Sequence, residues 1–163
     1  MKLVIISDLH DNLTNLDHCL KWCEANMIEA MLFAGDLTNE DTFDHLTKLF
    51  PSDLYLVRGN ADNYDEGLLK NKPKIINLTR SGGAVQIGGR DIGLCHEPYL
   101  IDNLLKKKTE IIFYGHTHKP WQEKRNGVNL VNPGTLGGMF QKATFAFYDT
   151  VSNELELKIL ELL

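Results

Sequence analysis

Five short segments of this 163-residue sequence collect residue types that bind metals. They read Asp8-Leu9-His10, Gly35-Asp36, Gly59-Asn60-Ala61-Asp62, Cys95-His96 and Gly115-His116-Thr117-His118. Between them they offer carboxylate oxygens, an amide oxygen and imidazole nitrogens, a donor set of intermediate hardness. Such donors suit manganese, iron, zinc, cobalt or nickel better than calcium, or than a magnesium ion that keeps its waters. A metal ion on such donors can acidify bound water to a pKa of about 7 and act as a Lewis acid, so the chemistry in view is metal-assisted hydrolysis.

The spacing carries its own expectations. Asp-x-His and His-x-His place alternate residues on one side of an extended segment, so both members of each pair should face one cluster. Glycine before Asp36, Asn60 and His116 predicts a sharp exit from a strand, through positive φ or close approach of the backbone. Each motif alone has a plainer reading. Gly35-Asp36 and Gly59-Asn60 read as turns, Asp8-x-His10 as a helix entry and His96 as a core histidine bonded to backbone. Paired histidines at a strand end, such as His116 and His118, seldom serve packing.

The elements that must position these residues follow from the hydrophobic pattern. Short apolar runs at Lys2 to Ser7, Glu29 to Ala34 and Asp53 to Val57 predict buried strands. Between them, Asp11 or Asn12 and then Thr38 or Asn39 open two helices, the second closed by Pro51. This β-α-β-α-β order is that of a parallel sheet covered by helices. The second half predicts strands at Ile75 to Leu78, Ala84 to Ile87, Arg90 to Cys95, Ile111 to Tyr114, Val128 to Val131, Thr144 to Tyr148 and Leu155 to Ile159. A hairpin turn is expected at Gly88-Gly89, and a helix from Pro98 to Lys107 ending in a solvated lysine run. The pattern implies a two-sheet α/β core with helices outside and mixed strand directions. Every one of the five segments falls at a strand end, and ligands of open α/β sheets bind outside the carboxyl ends of the strands.

Composition bounds the rest. The length suits one domain spanning residues 1–163. A net charge of −5 gives no electrostatic footprint for a nucleic-acid track. The start Met1-Lys2 runs straight into a strand, and no apolar run approaches the ~18 residues of a membrane span, so a cytoplasmic protein is expected. Cys19, Cys23 and Cys95 then read as reduced, buried thiols. The alternating segment from Glu154 onward presents a sheet edge through which a homo-oligomer could pair. Trp22 and Trp121 read as packing residues, with Trp121 as a candidate pocket rim, and Arg58 as either a phosphate contact or a surface residue.

Taken in order across residues 8 to 118, the five segments resemble the calcineurin-like metallophosphoesterase superfamily, and most of all its compact YfcE-type phosphodiesterases. Asn132-Pro133-Gly134-Thr135 is similar to their late Asn-Pro-Gly-Ser segment. The resemblance implies a four-layer α/β/β/α sandwich with two mixed β-sheets. It implies that Asp8, His10, Asp36 and His118 hold one divalent metal ion and that Asp36, Asn60, His96 and His116 hold a second, with Asp36 bridging. Asp62 would orient a neighbouring ligand. Asp36, Asn60, Asp62 and His96 would carry catalysis, with manganese the first choice of metal. The implied activity is that of a phosphodiesterase acting on a small phosphate ester through a hydroxide activated by the metal pair. The alternatives are a phosphomonoesterase, or a non-catalytic interaction module on the same scaffold. Two positions depart from the pattern. Ala61 stands where many members have a histidine that assists the leaving group, and Glu97 stands where glycine usually follows His96. The first disfavours protein phosphatase activity. The second either turns outward or narrows the pocket against a second negative charge.

Overall fold

A computed structural model of the protein describes residues 1–69 and 72–163. Strand β1 (Lys2–Ile6) is buried from Leu3 onward, because it lies inside its sheet and is covered on both faces. Helix α1 (Leu13–Ala25) starts at Asn12, whose side chain accepts the Asn15 N–H at 3.1 Å. It buries Leu16, Cys19, Leu20 and Cys23, one stripe at helical spacing. Strand β2 (Ala30–Phe33) is wholly buried. Helix α2 (Glu40–Leu49) is capped by the Asn39 side chain, with Glu40 and Asp41 in its first turn and Lys48 in its last, each charge complementing the macrodipole. Strands β3 (Asp53–Leu56) and β4 (Ile75–Asn77) follow, and β1 to β4 all pair in parallel.

The second half builds the other sheet. Strands β5 (Gly83–Ile87) and β6 (Arg90–Leu94) form the hairpin, with Gly88 and Gly89 both at positive φ as its turn demands. Instead of one helix from Pro98 to Lys107, the chain makes a 3-10 turn over Pro98–Leu100 and a short helix α3 (Ile101–Leu105). Pro98 sits at the start of that turn, and the helix ends with Lys106 as its C-cap residue, ahead of the last two lysines of the run. Strand β7 (Ile111–Phe113) then pairs parallel to β6. Strand β8 (Trp121–Arg125), which the hydrophobic pattern does not predict, forms a hairpin with β9 (Val128–Asn132). It is an exposed edge strand with little apolar content. The readable signal was its turn, Asn126-Gly127, with both residues at positive φ. Strands β10 (Thr144–Asp149) and β11 (Glu154–Ile159) return to the first sheet, β10 antiparallel to β1 and β11 antiparallel to β10.

The sheet orders are β11-β10-β1-β2-β3-β4 and β5-β6-β7-β9-β8. The period-2 alternation of each strand sorts its side chains between layers. Val4, Ile6, Met31 and Phe33 face α1 and α2, while Leu3, Ile5, Leu32, Ile92, Phe113 and Tyr148 fill the space between the sheets. Ile112, Leu130 and Tyr114 pack beneath α3. The result is the four-layer α/β/β/α sandwich with mixed sheets. Trp22 packs edge-on against Phe145 and Phe147, and the three cysteines are buried and free.

Candidate metal centre

The carboxyl ends of β1, β2 and β3 in one sheet and of β6 and β7 in the other lie together, and their loops are stitched by backbone hydrogen bonds. The Asp8 N–H donates to Gly35 O at 2.9 Å, and the Leu9 and His10 N–H groups to Asp36 O at 3.0 and 3.1 Å. Gly115 N–H donates to His96 O at 3.0 Å, and His116 N–H reaches both oxygens of Asp8, at 3.1 and 3.2 Å.

The backbone between these bonds is not extended. Asp8, His10, Asp36, His116 and His118 have φ of 52°, 47°, 61°, 72° and 59°, all left-handed. The paired donors therefore share a cluster because the chain coils back on itself, not because strand alternation puts them on one side. Left-handed backbone costs a non-glycine residue about 1–2 kcal/mol, and such strain concentrates where a site needs it. The glycines divide between two roles. Gly35 is left-handed, with φ of 96°, whereas Gly59 and Gly115 allow close approach: a Cβ would land on Asp36 Oδ1 at the first and on Ser7 Oγ at the second.

Two groups of donor atoms, each within 4.8 Å of one another, could hold an ion: Asp8, His10 and His118, and Asp8, Asp36 and His96. They share Asp8. His10 Nε2 and His118 Nε2 are 3.1 Å apart, and His118 Nε2 is 3.3 Å from Asp8 Oδ1. Asp36 Oδ2 lies 3.3 Å from His96 Nε2 and 3.8 Å from His10 Nε2, so its carboxylate touches both groups. Asn60 Oδ1 lies 3.0 Å from His96 Nε2 and 2.8 Å from His116 Nδ1. His116 is outside both compact groups but stacks edge-on against the His96 ring, centroids 5.2 Å apart.

The chemistry of these donors fits divalent cations. His96 Nδ1 lies 2.7 Å from Ala34 O, and a carbonyl can only accept, so the ring proton sits on Nδ1. In the neutral ring the Nε2 lone pair then faces Asp36 Oδ2 and Asn60 Oδ1. Three lone pairs converge where only a positive species satisfies them. Protons can fill part of that role. Burial raises the Asp8 carboxyl above its ordinary range, although the Ser7 hydroxyl, His96 and His118 pull it down. Burial pushes Asp36 up too, but His96, the Ala61 amide and His10 outweigh it and hold the group low. Burial would lower His96, yet the Asp36 carboxylate and Asp8 hold it high.

Asp62 touches none of the donor side chains named above. Its carboxylate accepts the N–H groups of Gly59 at 2.7 Å, Thr38 at 2.7 Å and Asp36 at 3.2 Å, and so ties the β2 loop to the β3 loop. Burial raises its pKa, opposed by the Thr38 and Gly59 amides. Ala61 contributes its backbone: its N–H donates to Asp36 Oδ1 at 2.8 Å, which leaves Oδ2 for the cluster. Arg58 supports the same loop, donating to Asp62 O at 3.0 Å with its guanidinium 4.8 Å from the Tyr64 ring centroid. Glu97 does not turn outward. It is 7% exposed, and its Oε2 has no hydrogen-bond partner among the described residues.

Residues the motifs did not single out as functional hold the loops from behind. Asn132 Nδ2 donates to Gly115 O and Thr117 Oγ1, at 2.8 and 3.0 Å, and Thr135 Oγ1 to Asp8 O at 2.7 Å. Leu136 N–H and Gly137 N–H bond to Ser7 O and Asp8 O. The available signal was a polar Asn-Pro-Gly turn directly after a buried strand. A cavity of about 490 Å³ between α1 and α2, lined by Leu20, Cys23, Met27, Leu49 and Phe50, lies near the amino ends of the strands, away from the donors. The donors open instead to an exposed face carrying Asn60 and His116. Trp121 is half-exposed on the sheet edge.

This centre, at strand ends of a double-sheet sandwich, places the chain in a class: it belongs to the calcineurin-like phosphoesterase superfamily, whose domain profile matches residues 1–153. Among particular relatives, it is 25% identical over 168 residues to Phosphodiesterase MJ0936 of Methanocaldococcus jannaschii, covering 99% of this chain and 100% of that one. It is 24% identical over 150 residues to Phosphodiesterase YfcE of Escherichia coli, covering 83% and 79%. A solved structure described as a novel archaeal phosphodiesterase superposes with a TM-score of 0.85 at 22% identity, over 98% of this chain and 99% of the other.

Proposed function

We propose that this protein is a metal-dependent phosphodiesterase in which Asp8, His10, Asp36 and His118 hold one divalent cation and Asp36, Asn60, His96 and His116 the other. The observation that carries the reading is the convergence on one point of His96 Nε2, Asp36 Oδ2 and Asn60 Oδ1, a lone-pair cluster that calls for a cation. When bound, such ions supply Lewis acidity to a phosphoryl oxygen and to the attacking water. The chain supplies the rest. Asp62 and the Ala61 amide hold Asp36 and the Asn60 loop in place. Asn60 and His116 stand on the open face where an ester would lie.

Substrate class follows from what the face lacks. Ala61 has no proton to give a leaving group, a contribution typically worth about 10²–10⁴-fold, which favours diesters with good leaving groups. Buried Glu97, next to His96, adds a carboxyl group behind the site and favours the singly charged diester over the doubly charged monoester. Manganese suits the mixed oxygen and nitrogen donors. No helix among the described residues is long and apolar enough to cross a membrane. The reading is of one domain over residues 1–163, acting in the cytoplasm on a small ester rather than on nucleic acid.

The test is hydrolysis of an activated aryl phosphodiester with Mn²⁺. Asp36→Asn and His116→Ala should each reduce turnover to the level of a metal-stripped control. Unchanged turnover in either variant rejects the assignment.

A further inference from the structure

Strand β11 ends the six-stranded sheet. Among the described residues it pairs with β10 alone, so its outer edge carries unpaired N–H and C=O groups, a template for another strand. Its two faces differ. Glu156 and Lys158 lie on the helix side, where Lys158 Nζ is 2.8 Å from Glu156 Oε2 and 5.7 Å from the Trp22 ring centroid. Leu155, Leu157 and Ile159 point toward the second sheet. Leu157 is 48% exposed and Trp121, on the neighbouring edge strand β8, is 52% exposed. With Pro120 and Leu155 they line a cleft of about 230 Å³ that opens along this edge. Free backbone, exposed apolar side chains and a cleft thus coincide on one side of the sandwich.

We propose that this edge is the interface of a homodimer, with β11 pairing antiparallel to β11 of a second copy about a two-fold axis through Leu157. The choice of register follows from the residues. A two-fold perpendicular to the sheet keeps the helix layers of both copies on one face, and it must pass through a residue, because directly opposed side chains share a face. An axis at Leu155 or Glu156 sets glutamate against glutamate, and one at Lys158 sets lysine against lysine. Like charges directly opposite destabilise a pair. An axis at Leu157 sets Glu156 opposite Lys158 of the second copy, twice by symmetry, and Leu155 opposite Ile159. Leu157 then meets its own symmetry mate beside Trp121, so the apolar stripe is covered at the centre of a self-complementary patch. The charges that would discourage indiscriminate edge pairing become the pairing code.

Size-exclusion chromatography with light scattering on the full chain, over a concentration series, tests this. The expected mass is twice the 18.5 kDa of the chain, falling toward the monomer on dilution. Leu157→Lys, Glu156→Lys alone and Lys158→Glu alone should each give a folded monomer by circular dichroism. The double variant Glu156→Lys with Lys158→Glu should restore the dimer. A wild-type chain that stays monomeric throughout the series, a dimer that survives the single variants, or a folded double variant that remains monomeric would each overturn the proposal.

Discussion

Asp8, Asp36 and His96 are buried donors, their side chains 0%, 3% and 0% exposed, whereas His10 and His118, which complete the group on the other side of Asp8, are 18% and 17% exposed. The buried donors are fixed by the main chain: His96 by Ala34 O, Asp36 by Ala61 N–H, Asp8 by His116 N–H. His10 and His118 meet each other, ring against ring with centroids 4.9 Å apart. One half of the centre is therefore preorganised by backbone, and the other by a pair of side chains at the surface. Preorganised ligands need little rearrangement to bind an ion, so the ion held by His96 should be retained when the ion held by His10 is lost.

The largest effect expected concerns the shared carboxylate. Asp36→Asn should strip both ions and reduce hydrolysis to background, while His10→Ala should leave one ion per chain, counted by inductively coupled plasma mass spectrometry after gel filtration. Equal loss of both ions in the two variants would erase the distinction between the halves. Next comes Asp62→Ala. Residues that orient ligands typically change affinity by about 10–100-fold, so Mn²⁺ titration calorimetry should show a drop of that order, with far-ultraviolet circular dichroism unchanged.

Acidity offers a third probe. The protonated form of His96, held above its ordinary 6.5 by Asp36 and Asp8 against the pull of burial, contributes stability that is complete below 6.5 and lost as pH rises through the folded value. Asp8 and Asp62, raised above 3.8 mainly by burial, act in the same direction: stability falls as pH rises from 3.8 through their folded values. Asp36, held low, contributes stability that is already complete above 3.8. The metal-stripped protein should therefore melt at a lower temperature at about pH 9 than at about pH 6. Mn²⁺ should raise the melting temperature more at the higher pH, because protons no longer compete for the ligands. A metal-free melting point that climbs with pH would contradict this. The smallest effect is expected at Glu97, the buried neighbour of His96 in the chain. Glu97→Gln should raise the ratio of monoester to diester kcat/KM by roughly threefold, the scale of one screened charge near a site.

Much of this centre was legible because its donors sit at the ends of buried strands, and both are patterns a sequence displays. Asp8, Asp36 and His96 could be found from apolar runs that stop at a ligand residue. Their mutual geometry was less visible. Left-handed φ at Asp8, His10 and His118 leaves no compositional trace when the residue is not glycine, so strand alternation was the natural but wrong reason for pairing them. Likewise, that the compact groups share Asp8 depends on where β7 brings His116 and His118, a contact 108 residues away along the chain. Strand β8 leaves no hydrophobic pattern because an edge strand exposed along its length has no buried face to record in its sequence. The burial of Glu97 is not written in its neighbours in the chain, because it is set by how the turn after it packs.

Gly115 shows how little separates the two sheets where they meet. A methyl group there would strike Ser7 Oγ and come within 2.9 Å of Asp8 Oδ2. It would act as a wedge, prising the β7 loop, which carries His116 and His118, from the β1 loop, which carries Asp8 and His10. A missing methyl group is thus the clearance on which the spacing of the two loops depends.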